Sequence, residues 1–330
     1  MLAILLMLSL LGSLSFANAQ ESSSGGDGGS GLKHKFYALS CPQAEDIARR
    51  TLQRNRMSDP TAPAALLRVV FHDCQVEGCD ASILLETSSA MTAETVSEKN
   101  FSIRRLDYIH DIKAAIEKEC PGIVSCADII VMAARDAIAM SGGPQIPIET
   151  GRRDTLFASN LNADEALPPP TLTVSEMLDT LAEKGLDIEE SVAILGAHTL
   201  GVGHCLNFIN RFDPQDNGPQ MSPFFSTALR VLCQSPPSMS NATFAPNDLT
   251  NFMFDNQYFR DLQGQRGLLT VDAELPIDPR TKKHVDLFAL NQLLFFAKFS
   301  DAFVKLTSFN VLTGSDGEIR RDCRAVNREP

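Results

Sequence analysis

From Lys33 onward the apolar positions recur at helical spacing, and alternating runs of the strand type are scarce. Ser40 can cap a helix with Pro42 in its first turn, running through Arg56. Thr61 can cap the next, in which Ala65, Leu66, Val69 and Val70 are apolar. Ile103 to Lys118 keeps the helical period and stops before Pro121. Ser125 can cap a helix that reaches Met140 and is ended by Gly142-Gly143. Further helices are predicted at Val174 to Lys184, Glu189 to Leu195, Pro223 to Leu232, Phe252 to Leu262 and Arg280 to Leu306. No fixed-period repeat is present. The pattern is that of a mainly α protein, with long loops between Asp80 and Ser102 and between Gly142 and Thr171.

The amino terminus follows another rule. Met1 to Ala19 is one Leu-rich apolar run ending in Ala17-Asn18-Ala19, a small-x-small cleavage pattern, and reads as a secretory signal peptide (1–19) that lacks the usual positive start. A membrane anchor is the weaker alternative, because the run is short for a bilayer. Residues 20–32, rich in Ser and Gly, are expected to form a flexible tail. The folded domain is expected over 33–330.

Composition narrows the function classes. The chain has 330 residues, 44% hydrophobic and 21% charged, enough for one large domain or two closely packed ones. Its net charge of -12 argues against nucleic acid or an anionic membrane as partner, since both need clustered Lys and Arg. Eight Cys behind a secretory leader imply an oxidising compartment and four disulfides, with the pairing open. Asn100 and Asn241 head Asn-x-Ser/Thr sequons. The absence of Trp excludes a Trp-centred site.

Five constellations could carry chemistry. Arg68 and His72, four apart on a helix, share one face, as a proton acceptor and a charge-stabilising cation must. A satisfied histidine on an amphipathic helix is the plainer reading of that pair alone. Asp73, Asp80 and Ser82, with Gly78 between and Cys74 and Cys79 flanking, suit calcium; zinc on His72, Cys74 and Cys79 is the competing reading. His198 stands in Ile194-Leu195-Gly196-Ala197-His198-Thr199-Leu200-Gly201, where small neighbours would let a flat macrocycle approach. Asn247, Asp248, Thr250 and Asp255 form a second oxygen-rich loop that Thr199 could join. Asp272, after an apolar run, could orient a histidine through its second nitrogen.

Together these segments resemble the plant secretory peroxidases of the horseradish type, from about Cys41 to Asn327. The resemblance rests on Leu67-Arg68-Val69-Val70-Phe71-His72-Asp73-Cys74, Gly78-Cys79-Asp80-Ala81-Ser82, Val124-Ser125-Cys126-Ala127-Asp128, Gly151-Arg152-Arg153-Asp154, the His198 segment, Phe254-Asp255-Asn256 and Gly317-Glu318-Ile319-Arg320, in that order. It implies a haem peroxidase fold, two helical halves (about 33–170 and 171–330) sandwiching haem b. It implies Arg68, His72 and Asn100 as the distal catalytic set, His198 as iron ligand with Asp272 behind it, and Pro168 at the substrate. It implies two calcium ions: one at Asp73, Val76, Gly78, Asp80, Ser82 and Glu94, with Glu98 as alternative to Glu94; the other at Thr199, Asn247 or Asp248, Thr250, Met253 and Asp255. The disulfides it implies are Cys41–Cys120, Cys74–Cys79, Cys126–Cys323 and Cys205–Cys233.

The sequence departs from the family pattern at a few points. Gln75 stands where Phe is usual, and the loop from Glu94 to Arg104 is one residue short. Counting back from Thr250 puts Asn247 where an Asp is expected, so the distal calcium site is predicted to bind more tightly. The expected activity is reduction of hydrogen peroxide with one-electron oxidation of small phenolic reductants, by a monomer in the extracellular space or cell wall. The short segment after Cys323 favours that destination over the vacuole. The competing readings are a haem-binding or peroxide-sensing protein with little turnover, and a disulfide-rich binding protein without haem.

Overall fold

Of the start signals Ser40, Thr61 and Ser125, only Ser125 becomes a side-chain helix cap in the structure, a computed structural model that describes residues 31–213, 218–234 and 243–327; Ser40 does not, because the first helix begins at Ala44, behind Gln43. Helices α1 (Ala44–Arg56), α2 (Ala62–Gln75), α3 (Leu106–Glu119) and α4 (Cys126–Met140) pack on one another. Ser125 caps α4 as expected, its Oγ accepting from Asp128 N. At α2 the cap is one step removed: Thr61 precedes the helix, but Asp59 Oδ1 accepts from its N and Oγ1. Helix α5 (Asn160–Ala166) follows, capped by Ser159. It lies in a stretch expected to be loop, and is too short to show a helical period.

Helices α6 (Val174–Glu183), α7 (Ile188–Leu195), α8 (Pro223–Gln234), α9 (Gln257–Gln263), α10 (Thr270–Glu274), α11 (Lys282–Leu290) and α12 (Gln292–Thr307) complete the set. Two expected helices differ. The one predicted from Phe252 starts only at Gln257, because residues before it wrap around Asp255, whose Oδ1 accepts from Gln257 N. The long helix from Arg280 is broken at Asn291, whose backbone is extended and whose side chain caps α12 by accepting from Leu294 N. The one sheet among the described residues pairs β1 (Val202–His204) antiparallel with β2 (Phe244–Pro246), His204 opposite Phe244. So short a pair leaves no alternation to read in sequence.

One continuous buried core joins α1–α4 to α6, α7, α9, α11 and α12. A smaller one lies under α8, around Phe208, Phe212, Met221 and the Cys205–Cys233 disulfide. Three of the sequence motifs meet in a buried knot. Asp154 accepts from the backbone N of Cys126, Ala127 and Arg320, while Arg152 pairs with Asp128 at 2.8 Å and donates to Thr307 O at the end of α12. These residues hold the fold: removing one partner of such a buried pair typically costs about 3–5 kcal/mol.

All four implied disulfides are formed, and no described cysteine is free. The Cys74–Cys79 bond removes the zinc reading, because both sulfurs are spent on each other. Leu32 is 8% exposed and Lys33 pairs with Thr150, so the fold begins slightly before the expected end of the tail at 32. The expected signal peptide and the rest of the tail lie outside the described residues, as does Asn241. Among the described residues no helix is long and apolar enough to cross a membrane.

Candidate active site

Helix α2 presents Arg68 and His72 on one face, one turn apart. Arg68 Nε donates to His72 Nε2 at 3.0 Å, and His72 Nδ1 stands 2.7 Å from Asn100 Oδ1. Asn100 Nδ2 donates to Glu94 O, which turns Oδ1 toward the ring. The proton of a neutral His72 therefore sits on Nδ1, and Nε2 keeps the lone pair. Burial, and then the Arg68 guanidinium, push His72 down to about 3, so the imidazole is neutral at ordinary pH. Burial also lowers Arg68, to about 10, and it stays a cation. Arg68 is held by the loop beside it, with Nη1 donating to Phe101 O at 2.9 Å and Ser102 Oγ at 2.7 Å.

His198 follows α7 in a 3-10 turn, Gly196–Thr199. A Cβ on Gly196 would lie 2.3 Å from the Phe295 ring, so only glycine fits where the turn crosses α12. His198 Nδ1 stands 2.9 Å from Asp272 Oδ1, and Tyr258 OH donates to that same oxygen at 2.7 Å. Asp272 is fixed by its place in the first turn of α10, its Oδ2 accepting from Leu269 N. Burial alone would lower the His198 pKa; the Asp272 carboxylate outweighs it and holds the pKa above the ordinary value. The ring keeps 34% of its side-chain surface accessible between the buried Gly196 and Thr199. With Nδ1 committed to a carboxylate, Nε2 is the nitrogen left for a metal. This donor set fits haem iron: a neutral imidazole oriented and made more basic by an anion behind it.

The loops flanking the two histidines are oxygen-rich. Asp73, Asp80, Ser82 and Glu94 are all buried, and Val76, Asp80, Ser82 and Glu94 line a cavity of about 10 Å³. Asp73 Oδ1, Ser82 Oγ and Glu94 Oε2 have no hydrogen-bond partner among the described residues. Hard, unpartnered oxygens of this kind fit a calcium ion. Burial, with Asp80 and Glu77 adding to it, pushes Glu94 up to about 8; Asp80 is raised to about 6, and Asp73 is also raised. Glu98 is exposed, which leaves Glu94 as the acid at this loop.

In the second loop Asp248 Oδ2 accepts from Thr199 Oγ1 at 2.6 Å, and Asp255 Oδ1 accepts from Thr250 Oγ1 at 3.0 Å. Asn247 points elsewhere, donating to Leu200 O. The loop thus gathers two carboxylates, and the charge deficit expected from Asn247 does not arise. Met253 has an exposed side chain and enters the loop through its backbone, its N donating to Thr250 O.

The pattern of the peroxidase family matches residues 46–291. The chain is 48% identical over 328 residues to Peroxidase 29 of Arabidopsis thaliana, covering 98% of this chain and 95% of that one. It is 43% identical over 300 residues to Peroxidase 57 of the same plant, covering 90% of this chain and 93% of that one. The chain belongs to the peroxidase family. It is a haem-dependent oxidoreductase that uses hydrogen peroxide to oxidise a reductant.

Several features of this peroxidase escape sequence reasoning. Lys99 Nζ donates to Leu167 O at 2.5 Å, which sets an ammonium beside the half-buried Pro168. Tyr258 reaches Asp272 across 14 residues, a pairing that only the fold creates. Gln75, where the family pattern has Phe, is 3% exposed with its Oε1 unpartnered.

Burial also decides the first sequon. Asn100 is 3% exposed and its amide is spent on His72 and Glu94, so it is expected to carry no glycan. Glycopeptide mass spectrometry of the protein expressed through a secretory host checks this; full occupancy at Asn100 would contradict the loop placement.

Proposed function

We propose that this peroxidase holds haem b through His198 Nε2, between a distal half (about 33–170) and a proximal half (about 171–330), with a calcium ion in each oxygen-rich loop. The observation that carries the reading is the paired support of two imidazoles: Asn100 leaves His72 with a lone pair at Nε2, and Asp272 does the same for His198. Bound haem supplies the iron that accepts two oxidising equivalents from peroxide.

His72 takes the proton from the incoming peroxide at Nε2 and returns it to the leaving oxygen. That nitrogen has one lone pair, now engaged by Arg68 Nε. The peroxide O–H therefore displaces the guanidinium donor. Arg68 is then available to stabilise the negative charge that develops on the leaving oxygen. Asp272 keeps the His198 imidazole oriented and electron-rich.

The electrons come from small phenolic reductants. Half-buried Pro168 marks their docking place, and Lys99 beside it favours those with a negative charge. The leader and four disulfides support secretion to the extracellular space or cell wall, where the protein is proposed to act as a monomer.

The absorption spectrum of the purified protein, with and without hydrogen peroxide and a phenol such as guaiacol, tests this reading. A histidine-ligated haem spectrum that changes on adding peroxide and recovers with the phenol is expected. A haem spectrum without phenol turnover would reduce the protein to a haem binder, and no haem spectrum would refute the reading.

A further inference from the structure

Asp272 Oδ1 accepts two hydrogen bonds at once. His198 Nδ1 is 2.9 Å away and Tyr258 OH 2.7 Å, while the other carboxylate oxygen accepts from Leu269 N at 3.0 Å. Tyr258 is 2% exposed, and its ring meets the His198 ring edge-on at 5.8 Å. The phenol and the imidazole thus draw on the same negative charge. A hydrogen bond to an ionised group is among the stronger ones, so what the phenol takes weakens Asp272 as an acceptor for His198. We propose that Tyr258 is a positioning residue that tempers the electron donation of His198: its hydroxyl limits how far Asp272 can pull the Nδ1 proton, and so limits the imidazolate character offered at Nε2. This rests on the reading of His198 as the iron ligand. Without the tyrosine, Asp272 would over-stabilise oxidised iron; without Asp272, nothing would stabilise it from this side.

Tyr258→Phe removes the hydroxyl and keeps the ring, so the edge-on contact with His198 survives. The experiment measures the Fe(III)/Fe(II) reduction potential and the iron–histidine stretching frequency of the ferrous protein. In the variant the ferric form should gain about tenfold, which is 59 mV downward for a one-electron couple, and the stretch should rise. Replacing all tyrosines by 3,5-difluorotyrosine strengthens the donor at nearly constant size. It should shift both readings the other way, and it covers the case in which Tyr258→Phe fails to fold. The other two tyrosines do not confuse the result, since Tyr37 OH donates to Asp128 and Tyr108 OH to Asn55 O. A histidine-ligated haem whose potential and stretch stay unchanged, or move together in the opposite sense, would overturn the role of Tyr258. A spectrum without histidine ligation would overturn the assignment of His198 itself, and the inference with it.

Discussion

His72→Ala is expected to slow the reaction of the ferric enzyme with hydrogen peroxide by about 10²–10⁴ through loss of general acid–base transfer alone, and to leave haem bound. His72 makes two directed contacts, to Asn100 and to Arg68, and alanine can make neither. Arg68 would keep its bonds to Phe101 and Ser102 but lose its link to the proton acceptor. The loss should therefore exceed that of a base alone, because the cation is mis-set as well. Rapid mixing with peroxide, followed in the Soret band, gives the rate. In the parent enzyme the same rate should hold as the pH falls from neutral until it nears about 3, where His72 takes its proton. A near-normal rate in the variant would remove His72 from the mechanism.

Removing the two proposed calcium ions with a chelator should lower turnover by up to about 10², the cost of misplacing a reacting group by about 1 Å. Two routes lead from the distal loop to its histidine, and one from the proximal loop. Asp73 and Thr199 directly follow His72 and His198 in the chain. On the distal side Asn100, which orients His72, is itself anchored to the backbone of Glu94. Without an ion, the buried acids must take up protons or repel one another.

The sign of the pH effect follows. Glu94 in the ion-free fold is raised to about 8, above its ordinary value of 4.5, so between these limits the folded state binds more protons than the unfolded. The contribution of Glu94 to the stability of the ion-free protein should thus be fully present below about pH 4.5 and be lost as the pH rises through about 8. Calcium must expel the same protons, so its affinity should grow over the same interval. Calcium content, thermal midpoint and turnover, measured together at pH 5 and pH 8 with calcium added back, decide the matter. Turnover unaffected by loss of both ions would show that the loops do not position the histidines.

The helices that carry the distal chemistry were legible because their signals are local. Ser125, Gly142 and the apolar period of α4 lie within one short stretch, and Arg68 and His72 are one helical turn apart. The proximal partners are less so. His198 and Asp272 are 74 residues apart, and only the family motifs join them in sequence. Periodicity alone merged α11 with α12, because Asn291 breaks the helix by its backbone without changing the apolar spacing. Counting along the second loop favoured Asn247, since a count cannot see which side chain turns inward; Asp248 does, toward Thr199. Tyr258 left no signal, because a buried tyrosine on a short helix is ordinary until the fold brings a carboxylate to it.

The Cys126–Cys323 bridge sets a timetable for making the protein. Its two sulfurs are 197 residues apart, and Cys323 is the last cysteine in the chain. At a synthesis rate of about 5–20 residues per second, Cys126 waits roughly 10–40 s for its partner to be made. Cys41–Cys120 and Cys74–Cys79 can close within that interval, because all four of those cysteines precede Cys126. Early closure of those two pairs withdraws the competing thiols, and Cys126 is left with only Cys205, Cys233 and Cys323 to choose among. The N-terminal helices can thus be stapled before the C-terminal part exists, and the Cys126–Cys323 bridge is made only once Cys323 has been synthesised.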